Sequence, residues 1–164
     1  MAVNLSNIKS QLKSILDTAN TSTAAFDLST GLNTRVAQVF KVNPARIMPQ
    51  ASLFPWVTLF VDKKDVEHET IAVNQLNAKR RGDLTVSVVG AVWETVVSSV
   101  TEDEADENIE ILMENIEEII RRNFKLNNTV SWSKVEDVSY HSLPLDEQTQ
   151  MRIGVLSLNC RVDY

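Results

Sequence analysis

Residues 101–124 read TEDEADENIEILMENIEEIIRRNF, a stretch that contains neither glycine nor proline. Its apolar residues recur mostly at steps of three and four, which aligns them along one side of a 3.6-residue period. They are Ala105, Ile109, Leu112, Ile116, Ile119 and Ile120. The opposite side is rich in glutamate. The pattern therefore predicts one long amphipathic helix with a buried face and a solvated acidic face.

The two ends of this stretch also carry helix signals. Thr101 followed by Glu104 fits a capping box, and Arg121, Arg122 and Lys125 suit the negative end of the helix dipole. Ile111 breaks the pattern because it projects among the glutamates. We interpret it as an isolated exposed residue or as a small contact for another subunit.

Composition limits the class of protein. With 164 residues, 43% of them hydrophobic and 23% charged, the chain is expected to form a single domain over 1–164. No apolar run approaches the ~20 residues of a spanning helix, so no membrane association is expected. The N-terminus has no secretory signal pattern, which favours folding in a cytoplasm. Cys160 is the only cysteine, so it excludes an internal disulfide, and we expect it in the core.

The net charge of −6 argues against a protein that wraps duplex DNA and neutralises many phosphates. A negative surface is compatible with DNA that slides past without adhering.

The chain before the long helix begins with a second helical pattern. Spacing predicts a helix over Leu5–Ala19, capped by Asn4 or Ser6. A loop-rich segment, 20–55, follows; it has a weakly ordered start, a candidate strand at Arg35–Val42 and three prolines. Trp56–Val61 then predicts a strand with both faces covered.

A basic hairpin is predicted next. Asp62–Glu69 has the alternating charges of a crossing loop, and Thr70–Ala78 is a modest candidate strand. Lys79, Arg80 and Arg81 then precede Gly82, whose tolerance of positive φ suits the tip of a hairpin. The tip should project from the domain and contact another subunit or partner.

Strands dominate the remaining sequence. Leu84–Val97 alternates clearly, and Gly90 within it suggests a bulge. Asn127 and Asn128 predict a turn after the long helix, with two strands to follow. In the last strand the apolar parity changes from odd to even near Gly154, which predicts a β-bulge there. The expected fold class is α+β, an antiparallel or mixed β-sheet with an N-terminal helix and one long helix packed on one face.

No motif indicates a catalytic, cofactor or metal site. The four glycines are too far apart for a phosphate-binding loop, and no Gly-x-Ser-x-Gly turn is present. Convergence in space of Asp137, His141 and Cys160 stays open as an alternative. The acidic cluster at 102–107 could hold Mg²⁺, but carboxylates are also favoured at a helix N-terminus, which is the better explanation.

The layout resembles the tail terminator, or tail completion, proteins of long-tailed bacteriophages. The features that carry the resemblance are the helix around Ile8–Leu12, the strand Pro55–Val61, the basic hairpin leading into Leu84–Val89, and the opening of the long helix at Glu104–Leu112 before two closing strands. The resemblance covers nearly the whole chain and rests on the order of the helices and strands.

The resemblance implies a virion structural protein without catalytic residues. Such a protein forms a homohexameric ring at the head-proximal end of the tail tube, ends tube polymerisation and joins the tail to the neck. Its implied partners are the tail tube protein, a neck or head-completion protein and, as an open option, a sheath protein. The genome would pass through without specific binding. Three rivals remain: another neck connector ring, a small metal-dependent hydrolase and a monomeric interaction module.

Overall fold

The computed structural model describes residues 4–47, 50–68, 80–95, 104–145 and 149–163. Two helices and five strands follow in the order α1 (Leu5–Ala19), β1 (Gln38–Phe40), β2 (Trp56–His68), β3 (Arg80–Thr95), α2 (Glu104–Arg122), β4 (Trp132–Pro144) and β5 (Thr149–Asp163). The strands form one sheet in the order β1-β2-β3-β5-β4. Only the β1–β2 pairing among these is parallel. The predicted α+β class, with a mixed sheet and two helices packed on it, is confirmed.

Both predicted helices are present. α1 has the predicted bounds, and Asn4 caps it, since its side chain accepts a hydrogen bond from the Asn7 amide at 2.9 Å. In the last turn of α2, Glu118 accepts hydrogen bonds from Arg121 at 2.6 Å and Arg122 at 2.7 Å. Thr101, the predicted partner in a capping box, lies outside the described residues.

The main core lies between the helices and one face of the sheet. It combines the apolar side of α1, the apolar side of α2 and alternate residues of β2, β3 and β5. Its fully buried members include Leu12, Leu16, Leu59, Leu84, Leu112, Ile116, Ile120 and Leu156. Cys160 is also fully buried in this core, as predicted.

A second, smaller core covers part of the opposite face. Phe54, which precedes β2, packs in tilted ring contacts against Trp93, at a centroid distance of 5.2 Å, and Trp56, at 6.0 Å. Val89 and Met151 complete its buried part together with Ala91. Four residues of the loop-rich segment, Phe40, Ile47, Leu53 and Phe54, thus cover part of this face.

This second core explains the parity change in β5, and the predicted bulge near Gly154 is wrong. β5 keeps an unbroken register with both β3 and β4 through Gly154. Its odd residues face the second core, whereas Leu156, Leu158 and Cys160 face the main core. Both faces of β5 are therefore covered, each by a different core, so the change of parity does not require the extra residue of a bulge.

The bulges lie elsewhere. The register shifts between Val61 and Lys63 in β2 and between Val135 and Asp137 in β4. The shift in β4 lets Val135 and Val138, which have opposite parity, both pack on the main core.

The predicted hairpin tip is also wrong in its described part. Asp62–His68 continues β2 as a strand, and Arg80–Asp83 pairs with it as the start of β3. Gly82 lies opposite Val66 within this ladder, and Gly31 is the described glycine with a positive φ, 79°. The charged residues resemble a loop in sequence, but backbone pairing does not require apolar side chains on an exposed strand. Thr70–Ala78 and Lys79 lie outside the described residues.

The loop-rich segment is irregular but firmly attached. Its strand is shorter than predicted, Gln38–Phe40 instead of Arg35–Val42. Leu28 is fully buried, and Asn115 of α2 donates hydrogen bonds to the carbonyls of Leu28 at 3.0 Å and Thr30 at 2.8 Å. These bonds satisfy buried carbonyls that have no strand partner.

Two glycines bring α2 close to the sheet. Gly90 of β3 lies directly opposite Gly154 of β5, and no bulge occurs at Gly90, contrary to prediction. A Cβ atom at Gly154 would lie 2.4 Å from Cγ of Met113, and one at Gly90 would lie 3.0 Å from Cδ2 of Leu112 and Sδ of Met113. The absence of side chains here makes room for the middle of α2.

Gly154→Ala should lower the free energy of unfolding by about 1–3 kcal/mol, because Met113 has to move at a carbon near its backbone. Gly90→Ala should cost less, since it meets only the flexible ends of two side chains. Chemical denaturation of both variants measures the difference. Adding Met113→Ala should make the Gly154→Ala change less costly than it is alone; equal costs at the two glycines would contradict this account.

Candidate interaction surface

The predicted contact residues do not form one patch. Arg81 lies at the start of β3, where its Nε is 3.3 Å from Oδ1 of Asp163 on β5. Ile111 lies in α2, two residues before Met113, which lies above Gly154. Asp163 is nine residues further along β5 than Gly154, which amounts to roughly 30 Å of strand. The basic residues and Ile111 thus belong to different regions.

Ile111 is also less exposed than predicted. It is partly buried, and a Cβ atom added to Gly31 would lie 3.3 Å from its Cγ2. The loop that contains Gly31 therefore covers one side of Ile111. Its described role is packing within the chain, and a contact with another subunit stays a prediction.

Arg81 belongs to a polar cluster at one end of the sheet. Asp163 accepts hydrogen bonds from Ser131 at 2.8 Å and from Arg81 at 3.3 Å, and these hold its pKa below the usual value. Next to it, Arg161 bonds Asp83 at 2.9 Å and places its guanidinium 4.9 Å from the Trp132 ring centre. Arg81 therefore already has an acidic neighbour within its own chain. Arg80 begins β3, and Lys79 lies outside the described residues.

The outer strand β4 offers a long free edge. It has 13 residues and pairs with β5 on one side, and no other strand in the described ranges pairs with its outer side. The first half carries a bulge and exposed charged residues, features that discourage pairing with another chain. The second half is regular and exposes Tyr140 and Leu143, by 43% and 47%.

An acidic stripe on α2 runs beside this edge. We define it as Glu110, Glu114 and Glu117, which are exposed and spaced by four and three residues. The stripe lies close to Tyr140, because Tyr140 pairs with Gly154, and Met113 of α2 lies directly above Gly154. Desolvation together with these three carboxylates raises the pKa of the Tyr140 hydroxyl. In the part of the chain that the structure describes, no cation forms an ion pair with the stripe.

The other side of the sheet is basic. We define the basic edge as Lys9 of α1, Lys41 just after β1, and Arg46 in the turn that follows, Pro44–Arg46. Lys41 Nζ donates to Ser10 Oγ at 3.0 Å, which ties the end of β1 to α1. None of these three side chains has a carboxylate partner among the described residues.

Lys9 and Gln11 lie on different sides of α1. Gln11 accepts a hydrogen bond from Asn127 at 2.9 Å, so its side of α1 faces the end of α2. Lys9 precedes it by two residues, which is about 200° around a helix. Lys9 therefore lies on a different side of α1 from the Asn127 contact, and its neighbour Ser10 is the residue bonded by Lys41 just after β1. The two edges of the sheet thus carry charges of opposite sign.

The residues of the hydrolase alternatives are not brought together. In the β4–β5 register, Cys160 lies opposite Ser133, whereas His141 lies opposite Ile153, eight residues further along β4. In the acidic cluster, Asp106 pairs with Arg152, whereas Glu102 and Asp103 lie outside the described residues. Among residues 4–47, 50–68, 80–95, 104–145 and 149–163, no three His, Cys, Asp or Glu side chains are grouped to hold a metal ion.

A groove of about 520 Å³ lies between the end of α1, residues 21–26 and the end of α2. Its one arginine, Arg122, bonds Glu118 at 2.7 Å and lies 5.0 Å from the Phe26 ring centre. These contacts give Arg122 a role in joining α2 to the loop.

Comparison with known proteins adds no family. The sequence matches no protein-family model, and no curated protein matches it. Within the described ranges, no helix is both long enough and apolar enough to cross a membrane.

The Cys160 thiol should resist alkylation in the native protein. Burial removes access and raises its pKa to about 12, so at neutral pH almost no reactive thiolate exists. Intact mass after treatment with iodoacetamide should show no adduct in native buffer and one adduct in denaturant. Rapid native alkylation would restore Cys160 as a candidate nucleophile.

Tyr140 should titrate above the ordinary tyrosine value of 10.0. Replacing Glu110, Glu114 and Glu117 with glutamine should lower its pKa, although burial will still keep it raised. Ultraviolet titration in a Tyr164→Phe background isolates this residue. The pKa of Tyr140 is higher in the native state than in the unfolded chain, so the unfolded chain releases this proton first as the pH rises. The native state should therefore lose stability once the pH exceeds the pKa of free tyrosine. An unchanged titration after the three replacements would place the stripe away from Tyr140.

Proposed function

We propose that this chain is the tail terminator of a long-tailed bacteriophage. In this role it forms a ring on the head-proximal end of the tail tube, ends tube polymerisation and provides the surface that joins the neck. The observation that carries the proposal is the free edge of β4, 13 residues long, in a sheet that occurs in the element order expected for this family.

A subunit that acts by assembly needs surfaces for its neighbours. The sheet supplies two, since β1 and β4 lie at opposite edges while both helices cover one face. A head-to-tail ring uses two different surfaces of the same subunit and closes after a fixed rotation. Opposite edges of one sheet provide such a pair of surfaces.

Charge is consistent with a ring through which DNA passes. Six copies of a chain with net charge −6 carry −36 formal charges, and a negative lumen would weaken adhesion of the genome. The tube protein, a neck or head-completion protein and, in a contractile tail, a sheath protein are the proposed partners. The proposed location is the virion, after synthesis in the host cytoplasm.

Negative-stain imaging of the purified protein mixed with tail tubes tests this function. We expect rings of the purified protein, and we expect one ring at a single end of each tube. Rings that bind isolated heads or neck complexes instead of tubes would favour the rival connector. A particle that remains monomeric in sedimentation at micromolar concentration would favour an interaction module of another kind.

A further inference from the structure

We propose that the acidic stripe and the outer side of β4 in one copy dock on the basic edge of the next copy. The proposal rests on the ring-forming function above and identifies the two surfaces that would close the ring. The occupant of the free edge is therefore a second copy of this chain, approached through its β1 side.

The usable part of β4 is its second half. Between Val138 and Leu143 the register with β5 is unbroken, so the outward backbone groups form a regular row. Tyr140 and Leu143 add exposed apolar surface there. This combination of free backbone groups and apolar side chains favours contact with another polypeptide.

Charge decides which polypeptide surface fits. Two copies that paired through β4 around a two-fold axis would bring their acidic stripes towards each other. Each stripe has three carboxylates without a cationic partner in the described chain, so this arrangement is repulsive. The β4 edge is therefore protected against pairing with itself.

The basic edge has the complementary character. Lys41 and Arg46 are exposed and Lys9 is partly exposed, whereas nearby Lys13 and Arg35 are already paired with Asp17 and Asp27. The basic edge thus offers three cations that have no carboxylate partner in the described chain, and the acidic stripe offers three carboxylates that have no cationic partner there. Complementary charge of this kind steers encounter and fixes orientation.

The short β1 strand limits what backbone pairing can contribute. It has three residues, so any ladder between β1 and the β4 of a neighbour would be brief. Charge pairing and the two apolar side chains must then supply most of the specificity. A contact between unlike edges is heterologous, and repetition of it around an axis closes a ring.

Charge reversal tests the interface. The acid-reversed variant carries Glu110→Lys, Glu114→Lys and Glu117→Lys, and the base-reversed variant carries Lys9→Glu, Lys41→Glu and Arg46→Glu. Each variant alone now has two surfaces of like charge. We expect each to weaken self-association by roughly 100-fold relative to the unaltered chain, measured by analytical ultracentrifugation.

Mixing the two variants provides the decisive arm. In an equal mixture, copies of opposite charge can alternate, and assembly should return. A single chain with all six changes should also assemble, because its two edges are again complementary with the signs exchanged. Assembly that stays lost in both the mixture and the six-fold variant would overturn the proposal, provided circular dichroism shows a folded chain.

A matched control reverses charges away from both edges. Lys125→Glu alters an exposed residue just after α2 that belongs to neither the acidic stripe nor the basic edge, and it should leave assembly unchanged. Should the charge-reversed chain fail to fold, a variant with Glu110→Gln, Glu114→Gln and Glu117→Gln removes the same charges without reversing them. It should weaken assembly by a smaller factor than the acid-reversed variant.

The outcomes separate the interface from the function. An unaltered chain that forms rings while the acid-reversed variant forms equally stable rings would overturn this interface and leave the tail terminator proposal standing. An unaltered chain that is monomeric would overturn both.

Discussion

The close approach of α2 to the sheet is the constraint on which the rest of the fold depends. Met113 fills the space above two glycines that face each other across β3 and β5. Side chains at these two positions would hold the helix further from the sheet. With its middle fixed in this way, the apolar side of α2 seals the main core. Its glutamate side is held next to β4. The same contact therefore determines both the packing of the domain and the charge beside its free edge.

Local patterns predicted the helices well because a helix depends on residues three and four positions apart. The bounds of α1, its cap at Asn4 and the buried side of α2 follow from such spacing. The alternation predicted for Leu84–Val97 is likewise observed in β3, where Val88 faces the main core and Val89 faces the second core. These features require no knowledge of distant parts of the chain.

Features that depend on distant residues were the ones predicted wrongly. The change of parity in β5 reflects a second core built around Phe54, almost a hundred residues earlier in sequence, and nothing local to Gly154 reveals it. The charged continuation of β2 is a strand because β3 pairs with it.

The bulge in β4, by contrast, had a signal in the sequence, since Val135 and Val138 differ in parity. Ile111 is less exposed than its position among the glutamates suggested, because the loop at Gly31 covers one side of it. The charged edges became visible only when the strand order was known.

The position of β5 has a consequence for the order of events during synthesis. β5 follows β4 in sequence, yet it lies between β3 and β4 in the sheet. β4 therefore leaves the ribosome before the strand that must hold it, and cannot join the sheet until β5 has been made. The outer side of β4 therefore becomes part of the sheet only after β5 has been made.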